Sequence, residues 1–151
     1  MEQTNIDVTE IEVTYVPRFL SFDNSVLKCS LEVYNIFIQL FDPKHLSVRE
    51  ECYALFLNRA NRIFGSFKVS SGGITGTVID IRLVLGIALK TLSTSIIIAH
   101  NHPSGNLKPS LADIALTDRL KQAAEVMDIK LLDHLIISPD GYRSLADEGE
   151  L

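Results

Sequence analysis

The sequence predicts an α/β fold, a three-layer domain in which helices flank a mixed β-sheet. Residues 96–99 form a continuous apolar run rich in isoleucine, which is typical of a strand buried on both faces. Residues 50–69 contain two apolar stretches on either side of a polar turn at 59–62, and this pattern predicts a β-hairpin. Apolar residues recur at helical spacing in 78–92 and in 110–127, before and after the buried strand.

The N-terminal third predicts one strand followed by one helix. Residues 10–16 alternate polar and apolar side chains, which indicates a half-buried strand that Pro17 ends or holds at a sheet edge. Residues 21–24 offer capping side chains for a helix that runs to about residue 41. Five apolar residues are expected to form its buried face: Leu27, Leu31, Tyr34, Ile38 and Phe41.

The remaining elements follow the hairpin in order. Residues 70–76 include three glycines but lack the Gly-Lys-Ser/Thr ending of a phosphate-binding loop, so we expect a mobile flank of a site. The stripe of the next helix consists of Ile81, Val84, Leu85, Ala88 and Leu92. The helix after it is expected to turn inward Ile114, Leu120, Ala124 and Met127. A strand at 130–138 and a turn at 139–141 complete the sheet.

Composition limits the classes of function. The chain has 151 residues, of which 46% are hydrophobic, enough to bury one sizeable core. The net charge is −5 and the basic residues are scattered, so nucleic-acid binding through a basic face has little support. No signal peptide opens the chain and no apolar run reaches membrane-spanning length, so we expect a cytoplasmic protein without a membrane partner. The oligomeric state stays open.

The two cysteines do not indicate a disulfide scaffold. Cys29 and Cys52 are isolated among apolar neighbours, so we expect two small buried thiols. The chain also lacks the Pro-Cys-x-x-Cys pair that zinc nucleobase deaminases place after their His-x-Glu, which excludes that class of deaminase.

Candidate metal ligands directly follow the buried strand. His100 and His102 are two residues apart, so an extended backbone projects both imidazoles to the same side. Ten residues separate His102 from Asp113, which lies in the first turn of a helix that Ser110 caps. This spacing brings the helix start back over the carboxyl end of the strand, the usual place for sites in open α/β sheets. Two imidazoles and one carboxylate leave a fourth position for water, a set that suits a catalytic zinc ion.

Two blocks of this region carry a family resemblance. They read His100-Asn-His102-Pro-Ser-Gly and Pro109-Ser110-Leu-Ala-Asp113. Together they resemble the JAMM (MPN) metalloprotease signature, His-x-His with ten residues before an aspartate, in its RadC-like version. Further RadC-like blocks lie at 49–58, 64–65, 131–134 and 141–144. The resemblance implies a JAB/MPN-like fold, similar to that of cytidine deaminases. We therefore expect residues 46–151 to form the metal domain, with a strand and a helix from 1–45 packed on it.

The resemblance also implies roles for individual residues. It makes His100, His102 and Asp113 the zinc ligands. It places a glutamate at the start of a strand near the histidine strand, and counting back from residues 57–58 selects Glu50 over Glu51 as the general base. Adjacent strand residues face opposite ways, so only one of the two glutamates points at the metal.

Four further polar residues have roles that the sequence leaves more open. Ser110 can cap its helix, and the matching family serine also stabilises the oxyanion of a tetrahedral intermediate. Asp133 and His134 fit either a hydrogen bond to a metal ligand or a structural partnership. His45 is expected at the surface.

Three functions are compatible with these patterns. The first, which the resemblance implies, is a zinc-dependent metallopeptidase or isopeptidase that uses a metal-activated water and acts on a peptide or isopeptide-linked partner. The second is a non-catalytic RadC-like module associated with DNA repair or mobile elements. The third is an iron oxygenase with a facial triad of two histidines and one aspartate, although those enzymes typically set their ligands on β-barrel strands. The sequence does not identify the substrate.

Overall fold

The computed structural model describes residues 26–73 and 76–151, which fold around one five-stranded mixed sheet. The elements in chain order are α1 (Ser30–Leu40), β1 (Glu51–Leu57), β2 (Ile63–Ser71), α2 (Ile81–Lys90), β3 (Ser95–Asn101), α3 (Leu111–Val126), β4 (Lys130–Ser138) and β5 (Gly141–Ser144). This mixed α/β architecture confirms the predicted fold class. The strand predicted at 10–16 and the caps predicted at 21–24 lie outside the described residues.

Strand β3 occupies the centre of the sheet, whose strand order is β2-β1-β3-β4-β5. β1 pairs antiparallel with β2, which confirms the predicted hairpin, and also antiparallel with β3. β3 and β4 are parallel, and β4 and β5 are antiparallel. A parallel pair needs a long crossover, which α3 provides between β3 and β4.

The two faces of β3 are buried in two separate cores. All seven of its residues are buried, as the isoleucine run predicts. Ile96 and Ile98 belong to the core formed with α2 and α3, which includes Val84, Ala88, Leu120 and Ala124. Ile97 and Ala99 belong to the core formed with α1, which includes Val33 and Phe37. Burial of each large aliphatic side chain is worth about 1.5–3 kcal/mol. β3 is therefore anchored from both sides, and its carboxyl end is a firm support for a site.

The predicted buried face of α1 is wrong in the first turn. Leu31 is 53% exposed, and the buried residues of the helix are Val33 and Phe37. Helix α1 begins at Ser30, later than caps at 21–24 predict, because residues 26–29 are not helical. The pair Val33 and Phe37, four residues apart, turns toward the sheet, and Leu31 lies on another side of the first turn.

Three other apolar residues are exposed because they lie at helix ends. Met127 was expected inside but is the C-cap of α3 and is 50% exposed. Leu92, assigned to the stripe of α2, lies beyond the helix with a φ of 55° and is 82% exposed. Cys29, expected to be buried, is the exposed N-cap of α1, whereas Cys52 is buried as predicted. Helical spacing keeps residues on one face only while the chain stays helical.

Within residues 26–73 and 76–151, none of the helices combines the length and the apolar character that a membrane crossing requires.

Candidate metal centre

The two histidines of the His-x-His pattern lie at the carboxyl end of β3. His100 is in the strand and is 2% exposed, and His102 follows it. The backbone N–H of His102 donates to the carbonyl of Ile137 on β4 at 2.8 Å, so sheet pairing continues past the assigned strand end. Their Nε2 atoms approach to 2.9 Å, so both imidazoles project to the same side, as predicted from their spacing.

Asp113 reaches the histidines from the first turn of α3. The side chain of Ser110 accepts the N–H of Asp113 at 3.1 Å, and the Asp113 carboxylate accepts the N–H of Ser110 at 2.7 Å. This reciprocal capping box holds the carboxylate in place. The carboxylate oxygens lie 3.2 Å from Nε2 of His100 and 3.5 Å from Nε2 of His102.

The three side chains form a convergent donor set. One ligand atom from each of His100, His102 and Asp113 lies within 4.8 Å of the others. Nδ1 of His102 is 2.6 Å from the carbonyl oxygen of Asn106. Because a carbonyl only accepts, Nδ1 carries the proton, and the lone pair of Nε2 in the neutral ring faces the cluster. Two imidazole nitrogens and one carboxylate fit a zinc ion with an open coordination position.

The charges of the cluster are strongly coupled. Burial raises the pKa of the Asp113 carboxyl, but hydrogen bonds with His100 and His102 outweigh burial and hold this pKa far below its usual range. The pKa of His102 is raised, mainly by its hydrogen bond with Asp113. Burial acts in the opposite direction, and the nearby Glu50 carboxylate adds to the rise. Asp113 is therefore an anion at neutral pH, as a metal ligand must be.

The cluster borders a cavity of about 430 Å³. Glu50 shares its wall with His102, Ser110 and Asp113. Gly76, the last residue of the glycine-rich segment, and Thr77 also line the cavity, so the end of this segment flanks the predicted site. The structure thus brings the five predicted site residues to one end of the sheet.

Glu51, the alternative to Glu50, lies elsewhere. It is 1% exposed, and its carboxylate accepts from Nζ of Lys68 at 2.8 Å and from the Ser71 hydroxyl at 3.1 Å. Burial raises the pKa of this carboxyl, but the hydrogen bond and the charge of Lys68 outweigh burial, and the pKa is lowered. Nδ1 of His45 lies 3.4 Å from the same carboxylate. The side chain of His45, expected at the surface, is only one-third exposed.

Asn101, between the two histidines, was not singled out from the sequence. Its side-chain N–H groups donate to the carbonyls of Leu46 at 2.7 Å and Arg49 at 2.8 Å. Its side-chain oxygen accepts the N–H of Glu51 at 2.7 Å. Asn101 thus holds the backbone on both sides of Glu50. An amide that follows a buried strand and has three bonds to satisfy was the available signal.

The pair Asp133 and His134 divides between the two readings that the sequence left open. Nε2 of the fully buried His134 lies 2.7 Å from Nδ1 of His100, so His134 contacts a predicted metal ligand. Burial, followed by the charge of His100, lowers the pKa of His134 well below its usual value. The Asp133 carboxylate instead accepts from the Ser144 hydroxyl and the N–H of Ala146, and it joins β4 to the end of the chain.

The region that carries this cluster matches a described protein family. A family model for the RadC-like JAB domain matches residues 27–150, which include α1 and the five strands of the described sheet.

Relatives of known sequence support the same grouping. A UPF0758 protein of Flavobacterium johnsoniae is 48% identical over 100 residues, which are 66% of this chain and 44% of that relative. A UPF0758 protein of Porphyromonas gingivalis is 46% identical over 104 residues, 68% of this chain and 46% of the relative. One of Clostridium botulinum is 35% identical over 133 residues, 87% of this chain and 58% of the relative. The chain spans about half the length of the curated relatives it matches.

Proposed function

Because this chain belongs to the family of RadC-like JAB domains, we propose that it is a zinc-dependent hydrolase of the JAMM type, a metallopeptidase or isopeptidase. The observation that carries the proposal is the convergence of ligand atoms from His100, His102 and Asp113 within 4.8 Å at the edge of an open cavity. Three protein ligands with a free fourth position characterise catalytic rather than structural zinc sites.

The proposed chemistry divides between the metal ion and side chains of the protein. His100, His102 and Asp113 would hold the zinc ion, which would supply a Lewis acid and lower the pKa of a bound water to about 7. The Glu50 carboxylate, on the cavity wall beside these ligands, takes the proton of the attacking water and returns it to the leaving nitrogen. Glu51 does not compete for this role, because it is buried in its ion pair with Lys68.

Ser110 serves the same reaction from the N-terminus of α3. Its Oγ donates a hydrogen bond to the Asp113 carboxylate at 2.7 Å, and Ser110 lines the cavity, where the positive end of the helix dipole favours negative charge. Its one proton points to the Asp113 carboxylate here, and we assign the hydroxyl to turning and donating to the oxygen that becomes negative when the substrate carbonyl is attacked. The same hydroxyl caps the helix, so binding geometry and helix stability depend on one side chain.

The proposal is tested by cleavage of a complex peptide mixture that includes isopeptide-linked lysines, followed by mass spectrometry of the new termini, among which we count lysine amines freed from isopeptide bonds. Zinc-loaded protein is compared with protein stripped by a chelator and with zinc-loaded Glu50→Gln, which keeps the shape of the side chain. New termini are expected with the loaded wild type alone, and zinc added back to the stripped protein restores them. The same set of termini from all three samples contradicts the proposal. Iron in place of zinc, with oxygen consumption, favours the oxygenase instead.

A further inference from the structure

We propose that Thr117 and His134 are positioning residues that fix the tautomer of His100 and thereby aim its Nε2 lone pair at the metal position. The inference rests on the proposed function for its metal. It concerns a relay of hydrogen bonds among four groups that joins α3, β4 and β3. The relay runs from the Asp113 carbonyl through Thr117 and His134 to His100.

The first hydrogen bond sets which group donates at every later step of the relay. Thr117 Oγ1 lies 2.7 Å from the backbone carbonyl oxygen of Asp113, one helical turn earlier. A carbonyl oxygen only accepts, so this contact uses the single proton of the hydroxyl. Thr117 Oγ1 also lies 2.6 Å from Nδ1 of His134. With its proton already committed, the hydroxyl must accept there, and Nδ1 of His134 carries a proton.

The second bond follows from the surroundings of His134. Its side chain is fully buried, and among residues 26–73 and 76–151 its ring nitrogens form hydrogen bonds with Thr117 and His100 only. A buried imidazolium without a carboxylate partner is costly, so the ring is neutral. A neutral ring with a proton on Nδ1 has a bare Nε2, which accepts at 2.7 Å from Nδ1 of His100.

The consequence falls on the metal position. His100 keeps its proton on Nδ1, and the lone pair of its Nε2 faces Nε2 of His102 and the Asp113 carboxylate. If the donors and acceptors of the relay were reversed, the proton would lie on Nε2 of His100 and this nitrogen could not bind a metal. His102 needs no such relay, because the Asn106 carbonyl fixes its tautomer directly. His134 therefore orients the buried ligand His100, and the carbonyl of Asn106 orients His102 at the cavity.

Two matched variants test the relay. Thr117→Val keeps the shape of the side chain but removes the hydroxyl, and Thr117→Ser keeps the hydroxyl. Loss of a partner that orients a metal-bound histidine typically costs about 10–100-fold in metal affinity. We expect zinc titration to show this loss for Thr117→Val and near wild-type affinity for Thr117→Ser. Equal zinc affinity in Thr117→Val and wild type overturns the relay.

A spectroscopic measurement separates the relay from the zinc hypothesis. Nitrogen-15 NMR of the imidazoles in the metal-free full chain reports which ring nitrogen of His134 carries the proton. We expect a neutral ring with the proton on Nδ1 in the wild type and in Thr117→Ser, and loss of this single tautomer in Thr117→Val. A proton on Nε2 of His134 in the wild type contradicts the relay even if zinc binds. A wild type with the expected tautomer that binds no zinc contradicts the proposed function and leaves the relay standing.

Discussion

Glu50 and Glu51 are neighbours in the sequence, yet they lie in opposite environments. Glu50 is partly exposed and lines the cavity beside His102 and Asp113. Glu51 is 1% exposed and is bonded to Lys68 and Ser71. The alternation of side chains along an extended strand separates the two acids. Among residues 26–73 and 76–151, the Glu50 carboxylate forms no hydrogen bond or ion pair, whereas the Glu51 carboxylate is paired with Lys68. This comparison assigns chemistry to the first and stability to the second.

The largest effect is expected from removing a ligand on the cavity side. His102→Ala deletes one of three donors, so zinc affinity should fall by more than the about 10–100-fold that loss of an orienting partner costs. The side chain of His102 is 13% exposed and lies beyond the main cores, so the fold should persist. Elemental analysis and zinc titration measure the effect. His45→Ala is the matched control and should retain zinc. Unchanged zinc stoichiometry in His102→Ala removes this histidine from the site.

Replacing each of the two glutamates separately by glutamine sharpens the comparison. Glu50→Gln should leave zinc content unchanged and lower turnover by about 10² to 10⁴, the usual contribution of a general base. Glu51→Gln should leave turnover unchanged, because its carboxylate faces Lys68. Peptide cleavage and zinc content are measured on the same preparations. If Glu51→Gln loses turnover and Glu50→Gln keeps it, the two assignments are reversed.

Asn101 holds the backbone around Glu50 and Glu51, and its replacement should lower the free energy of unfolding. Asn101→Ala leaves the carbonyls of Leu46 and Arg49 and the N–H of Glu51 without their partner. A buried unpaired group costs about 1–3 kcal/mol, and water entering the loop offsets part of this, so we expect a loss of about 3 kcal/mol. Denaturant unfolding measures it.

Asn35→Ala is the control for this measurement. Asn35 is exposed on α1, so its replacement should change the unfolding free energy by less than about 0.5 kcal/mol. A loss of under 1 kcal/mol in Asn101→Ala means that the amide does not hold the segment before β1.

The smallest effect is expected from the ion pair on the Glu51 side. Glu51→Gln should lower the unfolding free energy by about 1 kcal/mol at neutral pH, because Lys68 remains in contact with water. The pKa of Glu51 is lowered in the folded chain. Its stabilisation is therefore complete above the unfolded value of about 4.5 and is lost as pH falls through the folded value. The difference between wild type and variant should shrink in acid. A difference that grows below pH 4.5 would mean that the pKa is raised.

The elements that the sequence predicted best have strong local signals. Three elements lie within about two residues of their predicted bounds: β3, β4 and α3. A long apolar run marks β3, an apolar stretch that ends at the turn 139–141 marks β4, and the capping box at Ser110 marks α3. The helix faces were predicted less well where they depended on where a helix begins or ends, as at Leu31 and Met127.

Contacts between distant elements could not be predicted from one sequence. The ligand pattern was visible because His100, His102 and Asp113 lie close together along the chain. Lys68 reaches Glu51 across a hairpin whose register shifts between Cys52 and Tyr53, and sequence alternation does not reveal such a shift. Thr117 meets His134 only because α3 packs on β4. The polar partners of a site therefore need the fold before they can be named.

The central claim is that the cavity end of the sheet holds one zinc ion beside Glu50. Anomalous diffraction at the zinc absorption edge, on crystals of the zinc-loaded full chain, tests it directly. The account predicts one peak about 2.0–2.2 Å from Nε2 of His100, Nε2 of His102 and a carboxylate oxygen of Asp113, with Glu50 facing the open coordination position. A peak bound elsewhere, or Glu51 in the place of Glu50, would contradict it.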